Sequence, residues 1–358
     1  MPASPMPTAR VVSVATALPG PPIDNAALGR FFGTGRVFEQ WVNEFIGTRT
    51  RHLAVDLETG QIRAGLADLA EDAGRRALAG VGVGPDEVDL VLLATSMPDS
   101  LLPTSVNLVA DRLGINGVRT YQLQSGCTGA VQALDLAHQA IQAGRARTVL
   151  VLGGDVCAKH VDLEADFAAL EPGELVNTVL FGDGAGALVL SAEDGPALRD
   201  ASAARTAPVL RHVHTRFVGL GRPPGQTVEW FGLGDRRSDH RAIHEDFKAI
   251  EENVPALAAE ALGDALDAVG WKDTDVDVLM PPQLSVRMTD RIVAHLDLPG
   301  ARRVDCVGDT GNTANALAFF QLELALPGLE PGQRAVGVAV ESSKWIEAAF
   351  VLEREGDR

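Results

Sequence analysis

Apolar positions along the chain follow two rhythms. Residues 88–94 (VDLVLLA) and 148–152 (TVLVL) are nearly unbroken apolar runs of strand length, as expected for strands covered on both faces. Residues 66–78, 105–113 and 128–143 repeat their apolar positions at helical spacing, and Gly144 ends the last of them. Shorter β-rich stretches lie at 11–18, 120–124 and 185–190. The stretch from 191 to about 208 is rich in Ala, Asp, Gly and Pro and breaks the pattern. Beyond it the plan returns, with strands expected at 209–218, 276–280, 302–307, 334–341 and 348–353. Helical patterns are expected at 244–269, 285–296 and 312–326. Alternating strands and helices predict an α/β protein with mostly parallel sheets. Two halves of similar plan, 1–196 and 197–358, suggest an internal duplication, although no close repeat in residue identity is visible.

Composition narrows the partners. The 358 residues carry a formal net charge of −17. That disfavours nucleic acid or an anionic membrane as the main partner. No apolar run reaches the length of a membrane span. The start, MPASPMPTAR, has no apolar core with a cleavage site, so a cytoplasmic protein is expected. The three cysteines, Cys127, Cys157 and Cys306, have no metal-ligand spacing, and no metal is expected.

One cysteine stands in a special place. Ser125-Gly126-Cys127-Thr128-Gly129 lies between a β-like segment and a strong helical pattern. A cysteine there meets the unpaired N–H groups and the positive dipole of a helix start, which favour the thiolate. Its backbone N–H is also placed to hold an oxyanion. A buried structural cysteine is the alternative.

Several segments in order then carry a resemblance. Gly47-Thr48-Arg49-Thr50-Arg51-His52, the cysteine turn, FGDGAGA at 181–187, Gly311-Asn312-Thr313 and the late helix-to-strand turn at 326–333 resemble the thiolase-fold condensing enzymes, in particular the type III 3-oxoacyl-ACP synthases. The resemblance implies a duplicated five-layer α-β-α-β-α body, a homodimer, and Cys127 as a nucleophile that carries an acyl group. It also implies that Asn312 helps to hold a thioester carbonyl. The acyl donor would be acyl-CoA or an acyl carrier protein, and its phosphopantetheine thioester arrives with the substrate, so no separate cofactor is expected.

Two positions depart from the family pattern. The family histidine that polarises a malonyl thioester falls on Pro282, in Met280-Pro281-Pro282-Gln283, and proline offers no side-chain donor. The family's glycine-rich loop falls on Val340-Glu341-Ser342-Ser343-Lys344-Trp345, which is bulkier and charged. Pro282 and Ser343 are counted among the substrate-binding positions. Losing one donor of such a hole costs about 2.7–4 kcal/mol, so ordinary decarboxylative condensation is disfavoured.

The resemblance places further candidates. Trp41 and Lys159 would flank the adenine of coenzyme A. Leu102 would reach a neighbouring copy's acyl pocket and leave room for a group larger than acetyl. Arg236, Arg237 and Arg241, with Arg287 and Arg291, could meet an acidic carrier protein or form solvated faces. His244 could be a relocated base or a solvated helix-start histidine, and Asp309 a base or a turn cap. The leading expectation is an acyltransferase of polyketide-type metabolism that passes an acyl group from Cys127 to a thiol, hydroxyl or amine. The alternatives are a carbon–carbon condensing enzyme with rearranged catalytic groups and a non-catalytic partner subunit.

Overall fold

The structure is a computed structural model that describes residues 7–160, 170, 172–199, 206–229 and 243–356. Ten strands form one continuous ladder. In the first half they are β1 (Ala9–Ala17), β4 (Leu90–Ala94), β5 (Arg119–Leu123), β6 (Thr148–Asp155) and β7 (Gly184–Ala192). In the second they are β8 (Val209–Phe217), β11 (Val278–Met280), β12 (Arg302–Arg303), β13 (Arg334–Glu341) and β14 (Ile346–Glu353). Two small pairs stand apart: β2 (Ile23–Asp24) with β3 (Thr50–Arg51), and β9 (Gln226–Val228) with β10 (Ile243–Glu245).

The order across the ladder is β12-β11-β13-β14-β8-β1-β7-β6-β4-β5. Counted within its own half, each set of five reads third, second, fourth, fifth, first from the outer edge inward. In each half four strands run one way and the fifth in sequence, β7 or β14, runs against them. Among the described residues, the two half-sheets meet in the ladder at the pairing of Arg10 with Val209. The duplication is therefore plain in topology even though the residues have diverged.

Helices complete five layers. Helices α1 (Leu66–Gly80) and α2 (Ser105–Arg112) cover the outer face of the first half-sheet. Helices α4 (Phe247–Val269) and α5 (Val286–Leu296) cover that of the second. Helices α3 (Gly129–Gln142) and α6 (Leu317–Ala325) lie between the two sheets. The all-apolar β4 follows from this arrangement. Val91 and Leu93 enter the outer core, whereas Leu90, Leu92 and Ala94 enter the central one.

Three expected elements differ. The helix expected at 312–326 begins only at Leu317, after a 3-10 turn at Ala314–Ala316. Residues 302–307 form only the two-residue β12, because the chain turns at Val307–Thr310 into a short helical turn. The helical pattern at 244–269 begins three residues later than expected, at Phe247, where the Asp246 side chain caps the Ala249 N–H at 3.0 Å. Residues 243–245 instead pair with β9. Among the described residues, no helix is long and apolar enough to cross a membrane.

Candidate active site

Strand β5 delivers the chain to Gly126–Thr128, a single 3-10 turn, and α3 follows directly. Gly126 has φ +55, a left-handed backbone that suits glycine. A Cβ there would fall inside the Glu341 carboxylate. Glu341 ends β13, is 2% exposed, and accepts a hydrogen bond from the Cys127 backbone N–H. Its other oxygen accepts from the Ser343 N–H at 2.6 Å. The carboxylate also stands beside the Cys127 thiol, close enough for its charge to act on the sulfur.

This contact reverses the expectation for the sulfur. Burial, then the charge of Glu341, then those of Asp155 and Glu245 push the Cys127 thiol well above its ordinary range. The helix start does not hold a thiolate here, because its free N–H already faces an anion. Cys157 and Cys306 are raised too, mainly by burial, Cys306 to about 12.

Cys127 opens onto a cavity of about 580 Å³ between the halves. Its inner wall is apolar, built from Val131 on α3, Val176, Leu180, Leu317, Val338 and Phe350. The exposed side chains of Phe45, Arg287 and Arg291 stand at its open side. Trp41, Pro282 and Asn312 line it as well. Asn312 is 4% exposed and is fixed by its surroundings. Its Oδ1 accepts from the Ala314 N–H at 3.0 Å, its N–H donates to Leu180 O at 2.9 Å, and its carbonyl accepts from Gly182 N–H at 3.1 Å. The FGDG turn thus serves to hold the asparagine segment. Asp183 anchors that turn by accepting N–H bonds from Ala54 and Ala158 at 2.6 and 3.1 Å, and burial raises it to about 6.

Other candidates stand elsewhere. His244 is exposed and is not among the cavity-lining residues. On strand β10 alternate residues face opposite ways, and Glu245, not His244, lines the cavity. Lys159 does not join Trp41 there either: its ammonium donates to the carbonyls of Met97 and Pro98 at 2.7 and 2.6 Å, and burial lowers its pKa. Ser342 lines the cavity, whereas Ser343 acts on Glu341 through its backbone. Leu102 is 84% exposed and outside the chain's own cavity, and its expected place is in a neighbouring copy. Asp309 pairs with exposed Arg49 outside the cavity. Arg236, Arg237 and Arg241 lie outside the described residues.

Sequence reasoning missed three groups. Glu341 was visible only as an intrusion of charge where the family has glycine. Glu245 and Gln226 meet across the β9–β10 pair, Gln226 Nε2 donating to Glu245 Oε1. Burial and the Glu341 charge raise Glu245 to about 7. Asn315 ties the halves together beneath the site. Its Oδ1 accepts from Ala130 in the first turn of α3 at 3.2 Å, and its Nδ2 donates to Asp155 at 2.8 Å.

Residues 121–206 match the family described as 3-oxoacyl-[acyl-carrier-protein (ACP)] synthase III, and residues 266–349 match its C-terminal family. A beta-ketoacyl-[acyl-carrier-protein] synthase III of Rhodospirillum centenum is 35% identical, over 84% of this chain and 84% of its own length. Another, from Rhizorhabdus wittichii, is 31% identical over 91% of this chain and 93% of its own. The solved structure of "AbyA1 - tetronic acid condensing enzyme" is 56% identical, with a TM-score of 0.91, over 97% of this chain and 100% of that one. With this layered thiolase fold and these relatives, the chain belongs to the 3-oxoacyl-[acyl-carrier-protein] synthase III family.

Proposed function

We propose that this protein is an acyltransferase that loads an acyl group onto Cys127 and passes it to a carbon acid, without loss of carbon dioxide. The observation that carries this reading is the Glu341 carboxylate against both the thiol and the backbone N–H of Cys127. A protonated thiol is a poor nucleophile, and an adjacent base activates it. Glu341 takes the thiol proton as sulfur attacks the thioester carbonyl. The carbon–sulfur bond to the donor's phosphopantetheine then breaks, and the proton passes to that departing thiolate. Proton transfer neutralises Glu341 and weakens its hold on the Cys127 N–H. That N–H becomes available as the oxyanion develops.

The second half follows from what surrounds the sulfur. Decarboxylation of a malonyl group needs donors for the enolate, and Pro282 supplies none. Two carboxylates near Cys127 would also repel the malonyl carboxylate. They suit removal of a proton instead. A carbon between two carbonyls, as in a 3-oxoacyl thioester, is acidic enough to be deprotonated outright. A tetronic acid is a five-membered lactone built around such a carbon. Its ring needs one new carbon–carbon bond and one ester bond. The relative named as a tetronic acid condensing enzyme supports extending that product class to this chain. The ester bond keeps a hydroxyl among the acceptors. The apolar cavity supports an acyl chain larger than acetyl, and exposed Leu101 and Leu102 support a homodimer as the working unit.

Intact-protein mass after incubation with acyl-CoA and acyl-carrier-protein thioesters tests the reading. The wild type gains an acyl mass and Cys127→Ala does not. Addition of a 3-oxoacyl thioester then discharges the enzyme with no carbon dioxide released. Carbon dioxide release in step with a malonyl thioester would overturn the reading in favour of decarboxylative condensation.

A further inference from the structure

A buried carboxylate, Glu341, and a half-buried one, Glu245, in one site raise the question of whether they share a task. Their surroundings differ. Both oxygens of Glu341 are engaged, one on the Cys127 N–H and one on the Ser343 N–H, and Glu341 itself is not among the cavity-lining residues. Glu245 lines the cavity beside Cys127, and only its Oε1 is held, by Gln226. Among the described residues its Oε2 has no hydrogen-bond partner, so that oxygen remains for a bound molecule.

Backbone hydrogen bonds mount Glu245 on the neighbouring turn. The Gly225 N–H donates to Ser342 O at 3.0 Å, and the Asp246 N–H donates to Gly225 O at 2.6 Å. These bonds tie the β9–β10 pair to the turn that follows Glu341. The segments that carry the two carboxylates are thus bonded to each other, with Glu341 on the Cys127 N–H and Glu245 on the cavity wall.

We propose that the two carboxylates divide the reaction, with Glu341 serving the loading of Cys127 and Glu245 serving as the base that takes the acceptor's proton. This rests on the reading of Cys127 as the acyl carrier. In the step, the acceptor's C–H proton moves to Glu245 Oε2 and the carbon attacks the acyl-Cys127 carbonyl. A carbon–carbon bond forms and the carbon–sulfur bond to Cys127 breaks. The proton then passes from Glu245 to the departing Cys127 sulfur, which restores the thiol and the carboxylate. A carboxyl raised to about 7 by burial and by Glu341 is suited to giving and taking a proton near neutrality. The unequal setting of two nearby acids is a general means of assigning such roles.

The test separates the two steps. Enzyme is charged with an acyl thioester, freed of excess donor, and mixed with the N-acetylcysteamine thioester of a 3-oxoacyl acid. Intact mass follows the return of the uncharged enzyme. For Glu245→Gln, charging of Cys127 stays within tenfold of wild type, while discharge to the acceptor slows by about 10²–10⁴-fold. Glu245→Asp recovers part of that loss. Glu341→Gln shows the opposite pattern, with slow charging. The proposal is overturned if Glu245→Gln discharges at the wild-type rate, or if its charging and discharge fall together, as a purely structural role would require. Charging alone reports on Cys127 as acyl carrier, so failure of that reading is seen before the acceptor is added.

Discussion

Asp155 and Glu341 occupy matching places in the two halves. Each ends the fourth strand of its half-sheet, each strand is eight residues long, and each carboxylate is buried. Each also reaches across to the turn before the other half's central helix. Asp155 accepts from Asn315, just before α6, and Glu341 accepts from Cys127, just before α3. The difference lies in how completely each is satisfied. Asp155 accepts from the Thr95 hydroxyl at 3.0 Å and from the N–H groups of Ser96 and Met97 at 2.7 and 2.9 Å. It also accepts from the N–H and Nδ2 of Asn315 at 3.0 and 2.8 Å. Burial raises its pKa and these bonds oppose the rise. Among the described residues, Glu341 has only two backbone donors, and a thiol beside it. The duplicated fold thus offers the same anion position twice. Saturated with donors it holds the halves together, and left partly open beside a sulfur it can move a proton.

The largest effect that would break this contrast is expected at Glu341. Glu341→Gln should slow acyl loading by about 10²–10⁴-fold, read as the rate of mass gain on folded enzyme. If loading proceeds at the wild-type rate, the two carboxylates are both scaffolding. Asp155→Asn should act on stability instead. It sets an amide NH₂ against buried N–H donors and should cost about 3 kcal/mol in urea unfolding, with loading by the folded fraction within tenfold of wild type. The smallest effect concerns Glu245. Its carboxyl is raised to about 7 in the fold, against 4.5 ordinarily. Between those values the native state binds more protons than the unfolded one, so this group's stabilisation is lost as pH rises through that window. Glu245→Gln should flatten the fall in stability from pH 5 to 8. It should gain about 2 kcal/mol at pH 8, a value discounted for partial exposure and read from denaturant midpoints at the two pH values.

Much of this was legible in the sequence, and the exceptions have physical causes. The buried strands at 90–94 and 148–155 and the helix after Cys127 follow from unbroken apolar runs and from 3.6-residue spacing. Asn312 and the FGDG turn were found through their motif. The duplication in strand order was visible only as a shared plan, since topology survives when residue identity does not. His244 misled because residues 244 and 245 read as the start of a helix. Pairing with β9 gives them a period of two, and that one change of phase exchanges His244 for Glu245 at the cavity. The Glu341–Cys127 contact spans 214 residues of chain, and no local pattern announces it. The sequence did place charge where the family has glycine, but the partner of that charge is decided by packing between the halves.

The hold of Glu341 on Cys127 also bears on oxidative durability. Peroxide and alkylating reagents attack the thiolate, and a sulfur kept protonated by burial and a neighbouring anion offers them little of it. A proton held on the sulfur makes the resting protein a poor target for haloacetamides at neutral pH. It also slows the first step toward sulfenic acid. Such an enzyme would keep its activity under aerobic conditions in which thiolate-bearing enzymes are progressively lost.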